Sequence, residues 1–150
     1  MIYANRHVCA AAGVPAATLR NWMVRGLVEP EFPSGGKGKP ARFSREDMMT
    51  AVALTRLRDM GLHEASGLAE EIGREASTYM LLATPGVVAR PSVEERPWRL
   101  YWTWTPHGWS HSSKPHPTHP TITIDAARMA EEAMQRLYDE YPETEERTTE

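Results

Sequence analysis

Gly13-Val14-Pro15 constrains this chain more than any other stretch, because it separates two short apolar-periodic runs, His7 to Ala12 and Ala16 to Gly26. Helices of that length are marginal in isolation, so each run must find its stability by packing. Gly13 can take the left-handed backbone that ends the first helix, and proline has no amide hydrogen to continue it. Ala10, Ala11 and Ala12 let a second helix approach closely, while Leu19, Trp22 and Met23 line one side of the second run. The pattern predicts a helix, a tight turn and a second helix.

Residues 31–43 follow, with three glycines and two prolines between Phe32 and Phe43, which suits a short hairpin with a flexible, basic tip. Ser44-Arg45-Glu46-Asp47 has capping-box spacing and opens a periodic run through Met48, Val52, Leu54, Leu57 and Met60 that Gly61 ends. A further run, Ala65, Leu68, Ala69, Ile72, Ala76, Tyr79 and Met80, predicts a helix over 63–83 that stops before Pro85.

Beyond Pro85 the residue types change. Val87-Val88-Ala89, Trp98 to Trp104 and Thr121 to Ile124 are rich in β-branched and aromatic residues and read as strands, with a return strand carrying Trp109. Asp125 caps a last helix whose stripe holds Met129, Ala130, Ala133, Met134, Leu137 and Tyr141. This stripe is expected to pack on the Trp98 to Trp104 strand. The fold class is therefore α+β. Residues 1–84 form a first module, 85–141 a small α+β module for self-association or partner contact, and 142–150 an acidic, frayed tail.

The net charge of −3 conceals an asymmetry: residues 1–60 carry nine Lys/Arg against five acids, and the remainder eight against fifteen. A basic first segment joined to an acidic second one points to an anionic polymer as partner of the first. The single cysteine, Cys9, excludes an internal disulfide and a multi-thiolate zinc site. No apolar run is long enough to cross a bilayer and the N-terminus lacks a signal-peptide layout, so a cytoplasmic protein without membrane contact is expected.

Helix, glycine turn, a second helix bearing Arg20, Asn21 and Arg25, and a basic hairpin together match the layout of a winged helix-turn-helix. The run Val14 to Val28, followed by Gly36-Lys37-Gly38-Lys39-Pro40-Ala41-Arg42-Phe43-Ser44 and an apolar helix, resembles the MerR-type DNA-binding domain over roughly residues 3–80. The resemblance implies that Thr18, Arg20 and Asn21 lie on the recognition helix, with Arg20 gripping phosphate and Trp22 packed under the wing. It places Arg25 before the Gly26 turn, and Lys37, Lys39 and Arg42 on the wing, near the DNA backbone or minor groove. Two departures stand out. Pro15 occupies the helix cap where the family has Ser, and Asn21 puts an amide, suited to adenine or phosphate, where an aromatic ring is usual.

Asn21-Trp22 with Gly35 to Lys39 is also similar to the DNA-binding domains of phage excisionases and small terminase subunits, which implies, as an alternative, delivery of DNA to a recombinase or packaging motor. The long coiled coil with an effector cysteine of metal-sensing MerR regulators is missing, since Cys9 lies in the first helix.

Each candidate has a plainer reading. Arg20 and Arg25 could be solvated helix charges, but the accompanying wing favours DNA contact. Cys9 is better read as a small apolar group than as a nucleophile, and no catalytic constellation marks the chain as an enzyme. His107, His111, His116 and His119 match no ligand register, and the prolines among them favour a solvated linker over a metal site, so neither metal nor cofactor is expected. Trp98, Trp102, Trp104 and Trp109 read as core of a small sheet in preference to a ligand-sensing aromatic pocket. The resulting expectation is a non-enzymatic, sequence-specific binder of double-stranded DNA, a transcription regulator acting as a homo-oligomer with a dimer favoured, because one small winged module binds weakly.

Overall fold

The computed structural model describes residues 1–62, 66–83, 99–112, 114–118 and 121–146. The strand expected at 87–89, Trp98, His119 and the 84/85 module boundary lie outside the described residues.

The first strand, β1 (Tyr3–Ala4), leads directly into α1 (Asn5–Ala12). His7 sits in the first turn, and its Nδ1 accepts the Ala4 backbone N–H at 3.3 Å. Gly13 ends α1 at φ 67°, as its lack of a Cβ allows, and its amide returns to the Ala10 carbonyl at 3.2 Å. Then come α2 (Ala16–Val24) and β2 (Arg42–Phe43), which pairs antiparallel with β1 through Tyr3 opposite Phe43. Sequence patterning left β1 unpredicted, because a two-residue strand has no periodicity to detect.

Ser44 caps α3 (Arg45–Asp59): its hydroxyl accepts the Asp47 N–H at 3.1 Å, and the Asp47 carboxylate accepts the Ser44 N–H at 2.7 Å. The next helix, α4 (Ser66–Ala83), lies tightly on α3, where a Cβ at Gly73 would stand 2.7 Å from the Thr50 backbone nitrogen. Ala53, Ala69 and Ala76, all fully buried, keep both helices narrow enough for that approach.

A second antiparallel sheet has the order β4-β3-β5, built from β3 (Arg99–Thr105), β4 (Gly108–Ser112) and β5 (Thr121–Asp125). Alternation puts Leu100, Trp102 and Trp104 on one face of β3, opposite Ile124, His111 and Trp109 across the two ladders. That face is only partly covered. Trp102 is 0% exposed and its ring meets that of His111, but Trp104 is 60% exposed and packs edge-to-face on Trp109. The expectation of a uniformly buried tryptophan face is corrected here: Trp104 shares the face of Trp102 but lies toward the β3–β4 turn, past the covering elements.

The last long helix, α5 (Ala126–Glu140), starts at Asp125, whose carboxylate accepts the Arg128 N–H at 3.0 Å. It packs chiefly on α1 and α4, and touches β3 and β5 more lightly than the sequence suggested. The Arg136 Nε and Nη2 both donate to the Ala11 carbonyl, at 3.0 and 2.7 Å, and the Tyr79 hydroxyl of α4 bonds the Glu131 carboxylate. One buried cluster runs from Val8, Leu19 and Phe43 through Leu57 and Ile72 to Trp102, Met134 and Leu137. The final helix thus closes the core shared with the first module, because α1 and α4 offer small-residue faces that a wide apolar stripe can approach. Beyond it, α6 (Glu143–Glu146) forms one helical turn where a frayed tail was expected, with the Thr144 N–H on the Tyr141 carbonyl at 3.0 Å. Among the described residues no helix is long and apolar enough to cross a membrane.

Candidate nucleic-acid interface

The second helix shows how sequence divides a face for the core from a face for something else. Leu19 and Trp22 are buried, and the Arg58 guanidinium covers the Trp22 ring at 5.8 Å from its centroid. Trp22 therefore sits in the core, under an arginine of α3, in the same cluster as Ala41 and Phe43 at the wing base. Ala17, Arg20, Asn21 and Val24, at helical spacings of three, one and three, lie on the outer side and are exposed. Thr18 is half-buried at the edge of that face. Arg25 is the exposed C-cap, followed by Gly26 at φ 69°, a left-handed turn that returns the chain to the core at Leu27 and Val28.

Pro15 serves as the N-cap with extended backbone and no side-chain cap, so α2 begins at Ala16 without the hydroxyl that a serine would supply. The Thr18 and Leu19 amides bond the Pro15 carbonyl at 3.0 and 3.3 Å.

The wing is narrow and secured at both ends. At its base, Phe32 and Arg42 exchange backbone hydrogen bonds at 3.0 and 2.9 Å. At its tip, the Gly35 N–H meets the Lys39 carbonyl at 3.0 Å and the Lys39 N–H meets the Gly36 carbonyl at 3.1 Å. Gly36 and Gly38 hold φ of 93° and 82°, values that side-chain-bearing residues rarely adopt, and this lets so small a tip close. Asp47 adds a tie that the capping box did not disclose: its carboxylate also accepts the Glu31 N–H at 3.1 Å, fastening the inbound strand of the wing to the start of α3.

Arg20, Asn21, Lys37, Lys39 and Arg42 are all exposed. Among the described residues no hydrogen bond or ion pair engages the side chains of Arg20, Asn21, Lys37 or Lys39, so their charges and amide remain available to a ligand. The acidic groups of α5 are by contrast engaged, Glu132 with Arg128 at 2.8 Å and with Arg56 at 3.2 Å. Arg128 holds the Glu132 carboxyl below its usual range.

The other candidates do not converge on a site. His111 faces Glu75 at 3.9 Å and stacks on Trp102, His107 occupies the β3–β4 turn, and His116 accepts the Thr118 N–H at 3.1 Å. Cys9 is half-buried in a groove beside Arg136 and Glu140, and burial pushes its thiol up, the direction that suppresses a nucleophilic thiolate. Sequence reasoning passed over Val24, which is 82% exposed and lies one turn beyond Asn21 on the outer face. Its three-residue spacing from Asn21 was the available signal.

Residues 3–65 match the family of MerR HTH family regulatory proteins. No curated protein matches the chain. The matched stretch runs from β1 to just past α3, so it takes in α2, the wing and every candidate contact named above. Over that stretch the chain is accordingly similar to MerR helix-turn-helix regulators, within a mixed helix-and-sheet fold.

Proposed function

We propose that this chain, whose first segment is similar to MerR helix-turn-helix regulators, is a sequence-specific double-stranded DNA-binding protein that regulates transcription and has no enzymatic role. The observation that carries this reading is the set of exposed, unengaged polar groups on α2 and the wing. Arg20 and Asn21 project from one helix face, and Lys37 and Lys39 from a glycine-closed tip.

The roles divide by chemistry. An amide can bond adenine N6 and N7 together in the major groove, so Asn21 is assigned to base readout. Arg20, Arg25, Lys37, Lys39 and Arg42 supply positive charge to phosphates, and Thr18 a hydroxyl to the backbone; such contacts position the protein without reading sequence. A single nine-residue recognition helix reads only a few base pairs, so two copies on a repeated half-site are needed for specific binding, and the protein acts as a homodimer.

Selection from randomised duplexes tests the division in the full-length chain. Asn21→Ala should relax the preference at one or two positions, whereas Lys37→Ala with Lys39→Ala should weaken all sequences by a similar factor. An Asn21 variant with unchanged preference would remove α2 from the major groove.

A further inference from the structure

The outer face of α2 carries one side chain that neither folding nor phosphate attraction explains. Val24 is 82% exposed, more than Met1, Ile2, Phe32, Met60, Leu81 or Trp104, the other large apolar groups in contact with solvent among the described residues. It contributes no burial there, and a β-branched residue in an exposed helical turn has a lower helix propensity than alanine, leucine or lysine. Its neighbours on the helix are Arg20, Asn21 and Arg25, all exposed. Two arginines and an amide around one isopropyl group disfavour an apolar protein surface as its occupant. They suit a polyanion that displays isolated methyl groups between its phosphates.

The major groove of DNA has that character, because thymine presents its C5 methyl beside the hydrogen-bonding edges of the bases. Three residues along a helix correspond to a rise of about 4.5 Å, close to the 3.4 Å separation of successive base pairs. An α2 placed with Asn21 against one base pair therefore brings Val24 to the neighbouring pair. We propose that Val24 is a specificity-determining residue that packs on the C5 methyl of a thymine adjacent to the base pair read by Asn21. This inference rests on α2 being the recognition helix and assigns the second half of its reading: an A·T-containing step in which an amide reads the adenine and an isopropyl group reads the thymine methyl. The same contact disfavours RNA, whose uracil lacks the methyl group.

The experiment uses the full-length protein and a duplex obtained by selection. Each thymine is replaced in turn by deoxyuridine, which removes only the methyl group and keeps base pairing. Affinity is measured for the wild type and for Val24→Ala, whose folding is checked by its melting curve. At one position the wild type should lose about fourfold, the factor expected for one buried methyl-sized group. Val24→Ala should bind thymine and uracil there equally, and 5-methylcytosine in the same place, with guanine opposite, should restore part of the apolar contact. Equal losses in both proteins, or no loss at any thymine, would overturn the assignment of Val24 while leaving DNA binding intact. Failure of the wild type to bind any duplex would overturn the recognition-helix reading itself, and this inference with it.

Discussion

Gly73→Ala should destabilise the protein although it replaces glycine by the best helix former in the middle of a helix. A Cβ at position 73 would stand 2.6 Å from Thr50 Oγ1, 2.7 Å from its backbone nitrogen and 2.8 Å from its Cα. Thr50 cannot give way by rotation, because two of those atoms are backbone and its hydroxyl already donates to the Glu46 carbonyl at 3.0 Å. Restoring ordinary contact requires α3 and α4 to separate by about 0.7 Å, and a gap of that size forfeits a quarter to a half of each dispersion contact it opens. Overpacking of this kind costs about 1–3 kcal/mol, against which alanine recovers about 1 kcal/mol of helix propensity. Two of the three crowded atoms are backbone, which puts the cost at about 2–3 kcal/mol and the net loss at about 1–2 kcal/mol, or a fall of roughly 2–8 °C in Tm. Gly67, in the first turn of the same helix, has nothing within 4 Å of its Cβ position, so Gly67→Ala should instead gain about 0.4–1 kcal/mol. Urea unfolding of both variants gives the two signs. A Gly73→Ala protein as stable as the wild type, or a gain in both variants, would refute the close α3–α4 approach on which the reasoning depends.

Leu137→Asp should unfold α1 and α2 together with the C-terminal region, because Leu137 is fully buried in the core they share and an unpaired carboxylate there costs several kcal/mol. Circular dichroism that retains a separate cooperative transition for residues 1–84 would contradict that single core. Tyr79→Phe should reduce the loss of stability at alkaline pH. Burial, with the Glu131 carboxylate beside the hydroxyl, pushes the Tyr79 phenol from 10.0 up to about 12. A folded value above the unfolded one means that the contribution of Tyr79 is whole below pH 10 and is lost as pH rises toward 12. Melting temperatures of both proteins from pH 9 to 12 should therefore converge, and parallel curves would remove Tyr79 from the account.

Local chemistry made the caps and turns legible. Gly13, the Ser44 to Asp47 capping box, the glycines of the wing tip and the Asp125 cap act over a few residues, and each appears where its sequence signal lies. Arg20, Asn21, Lys37 and Lys39 are exposed for the same reason: the helix period and a tight tip leave them no other direction. What the sequence withheld is long-range. The stripe of Met134 and Leu137 announces burial without naming its partner, and the two hydrogen bonds from Arg136 to the Ala11 carbonyl span 125 residues. Trp104 shows the converse limit. Period-two alternation puts it on the face of Trp102, but only tertiary structure shows that the cover ends before reaching it. Val24 was hidden by its apolar type, which reads as core until the opposite side of α2 is seen to be occupied by Leu19 and Trp22.

Titration of the full-length protein with duplex DNA at several salt concentrations addresses the central claim most directly. Log affinity should fall linearly with log salt, by about 0.9 for each phosphate neutralised, and replacing Lys37 and Lys39 by alanine should make the slope shallower by about 2. A folded protein that binds no duplex at low salt, or whose binding ignores both salt and the two lysines, would contradict the assignment of α2 and the wing to DNA.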